Sequence, residues 1–278
     1  MATQPWDAPV AVHRVYVPTD RRARVSEVWS SWRVSWIVAV RDMRIKYKQS
    51  FLGPVWLVVQ PLGMLAGVAV AFAGITRVNT HGTSYVLFAM VGVTVWAYVQ
   101  LTIATAVPAM LSNAALVRRS VCPRVALVNG ALLANLPTLG VMALLTLVLA
   151  LAEHGAVVQM LLQPAVAALV LVFTWGPCLL LASVAARYRD AVAIIPLLVQ
   201  GGLFLSPVGY PTSSAHGALR TALSLNPVSG LIEAARWVML GVTPPALPLA
   251  ATGVWMVVLS TLGWWVFTRL ETRLADFL

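Results

Sequence analysis

The sequence predicts an all-α integral membrane protein with six transmembrane helices. An N-terminal amphipathic interface helix precedes them, and short outer-leaflet helices come before the last span. Three observations carry this. Hydrophobic residues make up 60% of the 278 residues and charged residues only 10%, against roughly 45–50% and about 25% in an ordinary soluble domain. So few charges cannot cover a soluble surface of this size. Six stretches, 52–76, 85–112, 125–152, 156–186, 191–211 and 246–268, contain no Asp, Glu, Lys or Arg, and each reaches the ~20 helical residues that a bilayer core requires. Finally, Lys and Arg are divided very unequally between alternate connections.

Residues 1–25 contain Pro5, Pro9 and Pro18, lack periodicity and read as a loose cytoplasmic tail. The pattern changes at residues 26–50. Trp29, Trp32, Trp36, Val40, Met43 and Tyr47 recur at helical spacing, and at about 100° per residue they form one narrow stripe. Arg33, Arg41, Arg44 and Lys48 follow one flank of it, while Lys46 points away. That combination predicts a helix lying in the interface with Trp at headgroup depth. Ser26 followed by Glu27 suits its N-terminal cap, and Val38 and Ile45 on the opposite side predict packing against protein as well. Residues 51–278 then form the six-span domain. Two connections are more than short turns. Segment 113–124 carries Arg118, Arg119 and Arg124 and has moderate helical character. Segment 212–245 holds Asn226-Pro227, a periodic apolar run through Leu231, Ala235, Val238 and Met239, then Gly241. It is too short to cross twice, so it predicts one or two short helices dipping into the outer leaflet, with irregular backbone covered by protein or water.

Sixteen Lys and Arg fall on the side of the N-terminus and three, Arg77, Arg220 and Arg236, on the other. This places both termini in the cytoplasm. The net charge of +10 is therefore mostly a topology signal, and no nucleic-acid partner is expected. No apolar core of the signal-peptide type precedes Leu52, so the first span is expected to address the chain to the membrane itself. Cys122 and Cys178 have no metal or redox spacing and are not expected to pair.

The apolar stretches hold no ionisable group besides the cysteine and tyrosine side chains, which disfavours a proton- or ion-coupled transporter. There is no phosphate-binding G-x-x-x-x-G-K-[ST] motif, since the only lysines are Lys46 and Lys48. Uphill transport would need energy from another polypeptide. A lipid-carrier transferase needs carboxylates gathered at one membrane face, often around a divalent metal. Here Asp42, Asp190, Glu271 and Asp276 scatter along one side and Glu153 and Glu233 along the other. No catalytic residue, metal or cofactor is expected in this chain. The cluster Arg187-Tyr188-Arg189-Asp190 reads as a positive-inside turn. Among aromatics, Tyr85, Phe88 and Trp96 share a face of the second span, and Phe204 and Tyr210 flank the outer end of the fifth. Tyr85, Tyr210, Trp264 and Trp265 suit an interfacial belt by depth. Trp96, Phe204 and Tyr210 are the candidates for channel or gate aromatics.

Three motifs carry a family resemblance. Arg41-Asp42-Met43-Arg44-Ile45-Lys46-Tyr47-Lys48-Gln49-Ser50-Phe51-Leu52-Gly53-Pro54-Val55-Trp56, followed by Gln60-Pro61-Leu62, resembles the approach to the first span of ABC-2-type export permeases. Ser206-Pro207-Val208-Gly209-Tyr210-Pro211 and Leu225-Asn226-Pro227-Val228-Ser229-Gly230-Leu231-Ile232-Glu233-Ala234-Ala235-Arg236-Trp237 agree with it, in order. More narrowly, the chain resembles the branch that exports polysaccharide, O-antigen or teichoic acid. The resemblance implies a homodimer in the bacterial inner membrane, paired with two ATP-binding-cassette subunits that hold ATP and Mg. It implies export of a polyprenyl-diphosphate-linked glycan, with Arg41, Arg44 and Lys48 placed to meet the diphosphate. The family's coupling segment corresponds to 113–124, with Arg118, Arg119 and Arg124. The Arg-rich, Lys-poor composition points to a GC-rich bacterium. The alternatives are an ABC-2 exporter of a drug or small lipid and, from another class, a multispan lipid-carrier transferase.

Overall fold

The computed structural model describes residues 31–48, 50–72, 80, 82–114, 123–153 and 157–271. The 1–25 tail, the cap at Ser26 and Glu27, and Arg118 and Arg119 lie outside the described residues. The principal helices are α1 (Trp32–Lys48), α2 (Trp56–Phe72), α3 (Tyr85–Ala106), α4 (Val125–Ala134), α5 (Leu136–Ala152), α6 (Gln163–Arg187), α7 (Ala191–Gly202), α8 (Gly217–Leu225), α9 (Ser229–Leu240) and α10 (Ala246–Glu271). Among the described residues there is no strand. Five segments are long and apolar enough to cross a membrane: Gly53–Phe72, Tyr85–Ala106, Val125–Ala152, Gln163–Arg187 and Ala246–Leu270.

The remaining apolar stretch, 191–211, is helical only over its first 12 residues, in α7. Its end tightens into i→i−3 bonds, from Phe204 N to Gly201 O (3.2 Å) and from Leu205 N to Gly202 O (3.2 Å). Pro207 bars the helix from resuming beyond this turn. It has no N–H for the Leu203 carbonyl, its ring clashes with that carbonyl, and it disfavours helical geometry at Ser206.

The core is α3. Residues Leu87 to Val99 are all buried, as expected of a helix apolar on every side. Ser84 caps it, accepting from Leu87 N at 3.2 Å. Glu153, at the end of α5, accepts from the Ser84 amide at 2.9 Å and from its hydroxyl. The third span bends where Asn135 separates α4 from α5. There Asn135 Nδ2 donates to Ala131 O (2.9 Å) and to Thr105 Oγ1 of α3 (2.8 Å), so the break is satisfied inside the protein, as lipid requires.

Glycines set the closest helix approaches. On α6, a Cβ at Gly176 would stand 2.6 Å from Ser260 N of α10, and one at Gly263 would strike Gly176 O. Facing small residues let membrane helices touch backbone to backbone. Gly176→Ala is expected to destabilise by about 1–3 kcal/mol, the cost of overpacking. Gly140→Ala, where nothing lies within 4 Å of the added carbon, should cost nothing. Thermal unfolding of the two variants in detergent checks the contrast.

α1 rests on α4 through Ser35, Val38 and Ala39, with Val38 Cγ1 2.6 Å from where a Cβ would stand on Gly130. Trp32 and Trp36 are half exposed on another side. Val38 faces protein as its position in the sequence predicts, whereas Ile45 is open.

Candidate functional site

Two places concentrate polar chemistry, at opposite ends of α3. The first is the flank of α1. Arg41 is half-buried; its Nε and Nη2 donate to Asp42 Oδ1 at 2.9 and 2.7 Å, and Nη2 donates to Asn113 Oδ1 at 2.6 Å. Asn113 in turn donates to Ala109 O at 2.8 Å. Arg41 thereby ties α1 to the residue that opens segment 113–124. Arg44 and Lys48 are exposed, and among the described residues they form no hydrogen bond or ion pair. Arg41, Arg44 and Lys48 line one groove of about 590 Å³ together with Trp36, Ile37, Val40 and Ile45. The structure brings these three cations together and leaves Lys46 out of the groove, on another cavity. Cations above an apolar wall suit an amphiphile with an anionic phosphate head. Arg124 sits half-buried at the N-terminal boundary of α4.

The second place joins two of the sequence motifs into one unit. Arg236 on α9 is the largest fully buried side chain among the described residues, 1% exposed. Its Nη2 donates to Pro207 O at 2.6 Å and Val208 O at 2.9 Å, and its Nη1 to Glu233 Oε1 at 3.3 Å. The guanidinium lies 3.8 Å from the ring centroid of Phe88 on α3. Burial lowers the Arg236 pKa to about 10, and Glu233 opposes the shift by favouring the cation. Thr212 donates to the same Glu233 carboxylate. Asn226 donates to Leu205 O (3.0 Å) and to Ser206 Oγ (3.1 Å), and its Oδ1 accepts from Val228 N (2.9 Å). The turn 203–211 is thus held by α9 on one side and α3 on the other. Tyr85 donates to Gly209 O at 3.1 Å, and a Cβ at Gly92 would stand 2.7 Å from Val208 O.

Of the aromatic candidates, Trp96 is buried. Its Nε1 donates to Gln100 Oε1 at 2.9 Å and its ring packs at Gly202, the last residue of α7. Phe204 is exposed. Tyr210 donates to Phe204 O at 3.1 Å and its ring lies 5.2 Å from that of Phe72. Phe204 and Tyr210 therefore share the turn, whereas Trp96 supports it from below. Charge counting registered Arg236 and Glu233 only as connection charges. The signal that identifies them is a Glu–Arg pair at i, i+3 within a run otherwise periodic in apolar residues.

The family model of the ABC-2 type transporter matches residues 33–240. The O-antigen export system permease protein RfbA of Myxococcus xanthus is 26% identical over 241 residues, 85% of this chain and 91% of that protein. The protein of the same name from Klebsiella pneumoniae is 21% identical over 248 residues, 87% of this chain and 93% of its own length. The matched region begins within α1 and ends with α9, so it takes in both the cationic groove and the Arg236 clamp. By this match the chain belongs to the ABC-2 type transporter membrane family.

Proposed function

We propose that this chain is the permease subunit of an ATP-driven exporter that moves a lipid-diphosphate-linked polysaccharide, of the O-antigen, galactan or teichoic-acid kind, across the bacterial inner membrane. The observation that carries the reading is the α1 groove, where Arg41, Arg44 and Lys48 converge beside Trp36, Ile37, Val40 and Ile45. A diphosphate head and its polyprenyl tail need that pairing of cations with an apolar wall. Similarity to proteins named O-antigen export permeases supports the polymer as cargo. A long polar polymer cannot be wrapped by the helices of one chain, so the working unit is a homodimer. Consistent with this, few residues of α2 and α10 are fully buried within one chain. The unequal distribution of Lys and Arg puts the α1 end, and both termini, in the cytoplasm.

Energy comes from two ATP-binding-cassette subunits that hold ATP and Mg and dock at segment 113–124. The Arg41–Asn113 bond then joins the substrate groove to the docking segment, so motion at one reaches the other. The chain purified alone is expected to hydrolyse no ATP, and co-expression with its ATPase should yield a complex. Replacing Arg118 and Arg119 together by Gln should weaken that complex, since each charge-assisted contact contributes about 1.5–3 kcal/mol, without altering membrane insertion. Unchanged association would remove the docking role. Cells lacking the chain should accumulate lipid-linked polymer inside. Absence of the polymer itself would instead favour a transferase.

A further inference from the structure

Adjoining the Arg44 groove, with which it shares Arg41 and Ile45, lies a second cavity of about 670 Å³, between α1, the ends of α3 and α4, and the turn at Ser112 and Asn113. Met43, Ala104, Ala131 and Ala134 give it an apolar wall, Thr105 and Asn135 beside them bond to each other at 2.8 Å, and Lys46 lines the same cavity. The other charges on this cavity, Arg41 and Asp42, neutralise each other at 2.7 Å. Lys46 is half-buried, lies 5.4 Å from the ring centroid of its neighbour Tyr47, and makes no hydrogen bond or ion pair with any described residue. Burial pushes its pKa down. The cavity thus combines one cation without an anionic partner among the described residues with an apolar wall that includes three alanines.

We infer that this cavity binds one anionic phospholipid of the surrounding membrane. Lys46 meets the phosphate and an acyl chain lies along Ala104, Ala131 and Ala134. A single ammonium suits one phosphate treated as a point charge. The first groove adds the guanidinium of Arg44, unengaged among the described residues, and the ammonium of Lys48, which suit a diphosphate. This cavity has only Lys46 beside an Arg41 held by Asp42 and Asn113. The bound lipid fills the gap between α1 and the ends of α3 and α4, and so sets how far α1 can move relative to Asn113. This inference rests on the membrane setting and not on the polysaccharide reading, so either stands without the other.

The test is native mass spectrometry of the full chain in detergent, titrated with phosphatidylglycerol, phosphatidylcholine or inorganic phosphate. Wild type should retain one phosphatidylglycerol that phosphatidylcholine does not replace and millimolar inorganic phosphate does not displace. Lys46→Gln should weaken that retention roughly fivefold or more, the effect expected of one basic residue at a membrane surface. Lys46→Arg should restore it, and Ala104→Phe, which keeps the charge but fills the wall, should abolish it. Arg189→Gln, an exposed cation outside both cavities, should leave it unchanged. Equal retention by Lys46→Gln, or displacement by inorganic phosphate, would overturn the lipid site.

Discussion

Replacing Arg236 by Leu is expected to destabilise the folded protein by about 3–5 kcal/mol, the cost of leaving one member of a buried ion pair without its partner. Three losses coincide. Glu233 stays buried with only the Thr212 hydroxyl against it. The carbonyls of Pro207 and Val208 lose the donor they share. Phe88 loses the cation over its ring, a contact worth about 2 kcal/mol when desolvated. Arg236→Lys should fall between wild type and Leu, because an ammonium keeps the charge but cannot span both carbonyls and Glu233 with one planar group. Chemical unfolding in detergent, together with protein level in the membrane, gives the ranking. If Arg236→Leu unfolds within about 1 kcal/mol of wild type, the median value of an exposed pair, the clamp has no structural role.

The other large effect is expected on export. Arg44→Lys keeps charge and topology but removes the bidentate fork that planar phosphate recognition uses. Export should fall about tenfold if the fork contributes 1.4 kcal/mol. Arg41→Lys should add to this by a separate route, because an ammonium cannot hold Asp42 and Asn113 in the present fork geometry. The double variant should therefore be the most impaired. Lys46→Gln should matter least to export, since Lys46 faces the other cavity. The measurement is surface polymer in cells expressing each variant at matched membrane levels. Full export by the double variant would reduce the groove to a membrane anchor.

The spans were legible because lipid imposes one rule on long segments, and five of the six apolar stretches contain a helix that can cross. The stretch 191–211 is apolar throughout, and α7 covers its first 12 residues. Hydropathy registers neither the tightened turn after Gly202 nor the missing N–H of Pro207. On α1, helical angle sets Lys46 apart from Arg44 and Lys48, because a single helix fixes those directions without reference to the rest of the fold. Arg41 borders both cavities. The Arg236 clamp was hidden for the opposite reason. Its partners, Pro207 and Val208, are backbone carbonyls nearly thirty residues away, and a carbonyl leaves no mark on a sequence. The two motifs were visible separately, but only the fold shows that one holds the other.

The bonding of the turn after α7 has an electrical consequence. Twelve residues rise about 18 Å, against a hydrocarbon core of about 30 Å. The end of α7 at Gly202 lies against Trp96, midway along the 22 residues of α3. Beyond that depth the column continues as a turn whose carbonyls at Phe204, Leu205, Pro207, Val208 and Gly209 all accept from side chains of the protein. With those acceptors engaged the turn stays as dry as the helix, so the transmembrane voltage falls across both. A charge passing them meets about 2.3 kcal/mol for each 100 mV over the full depth, with no wet step to shorten it.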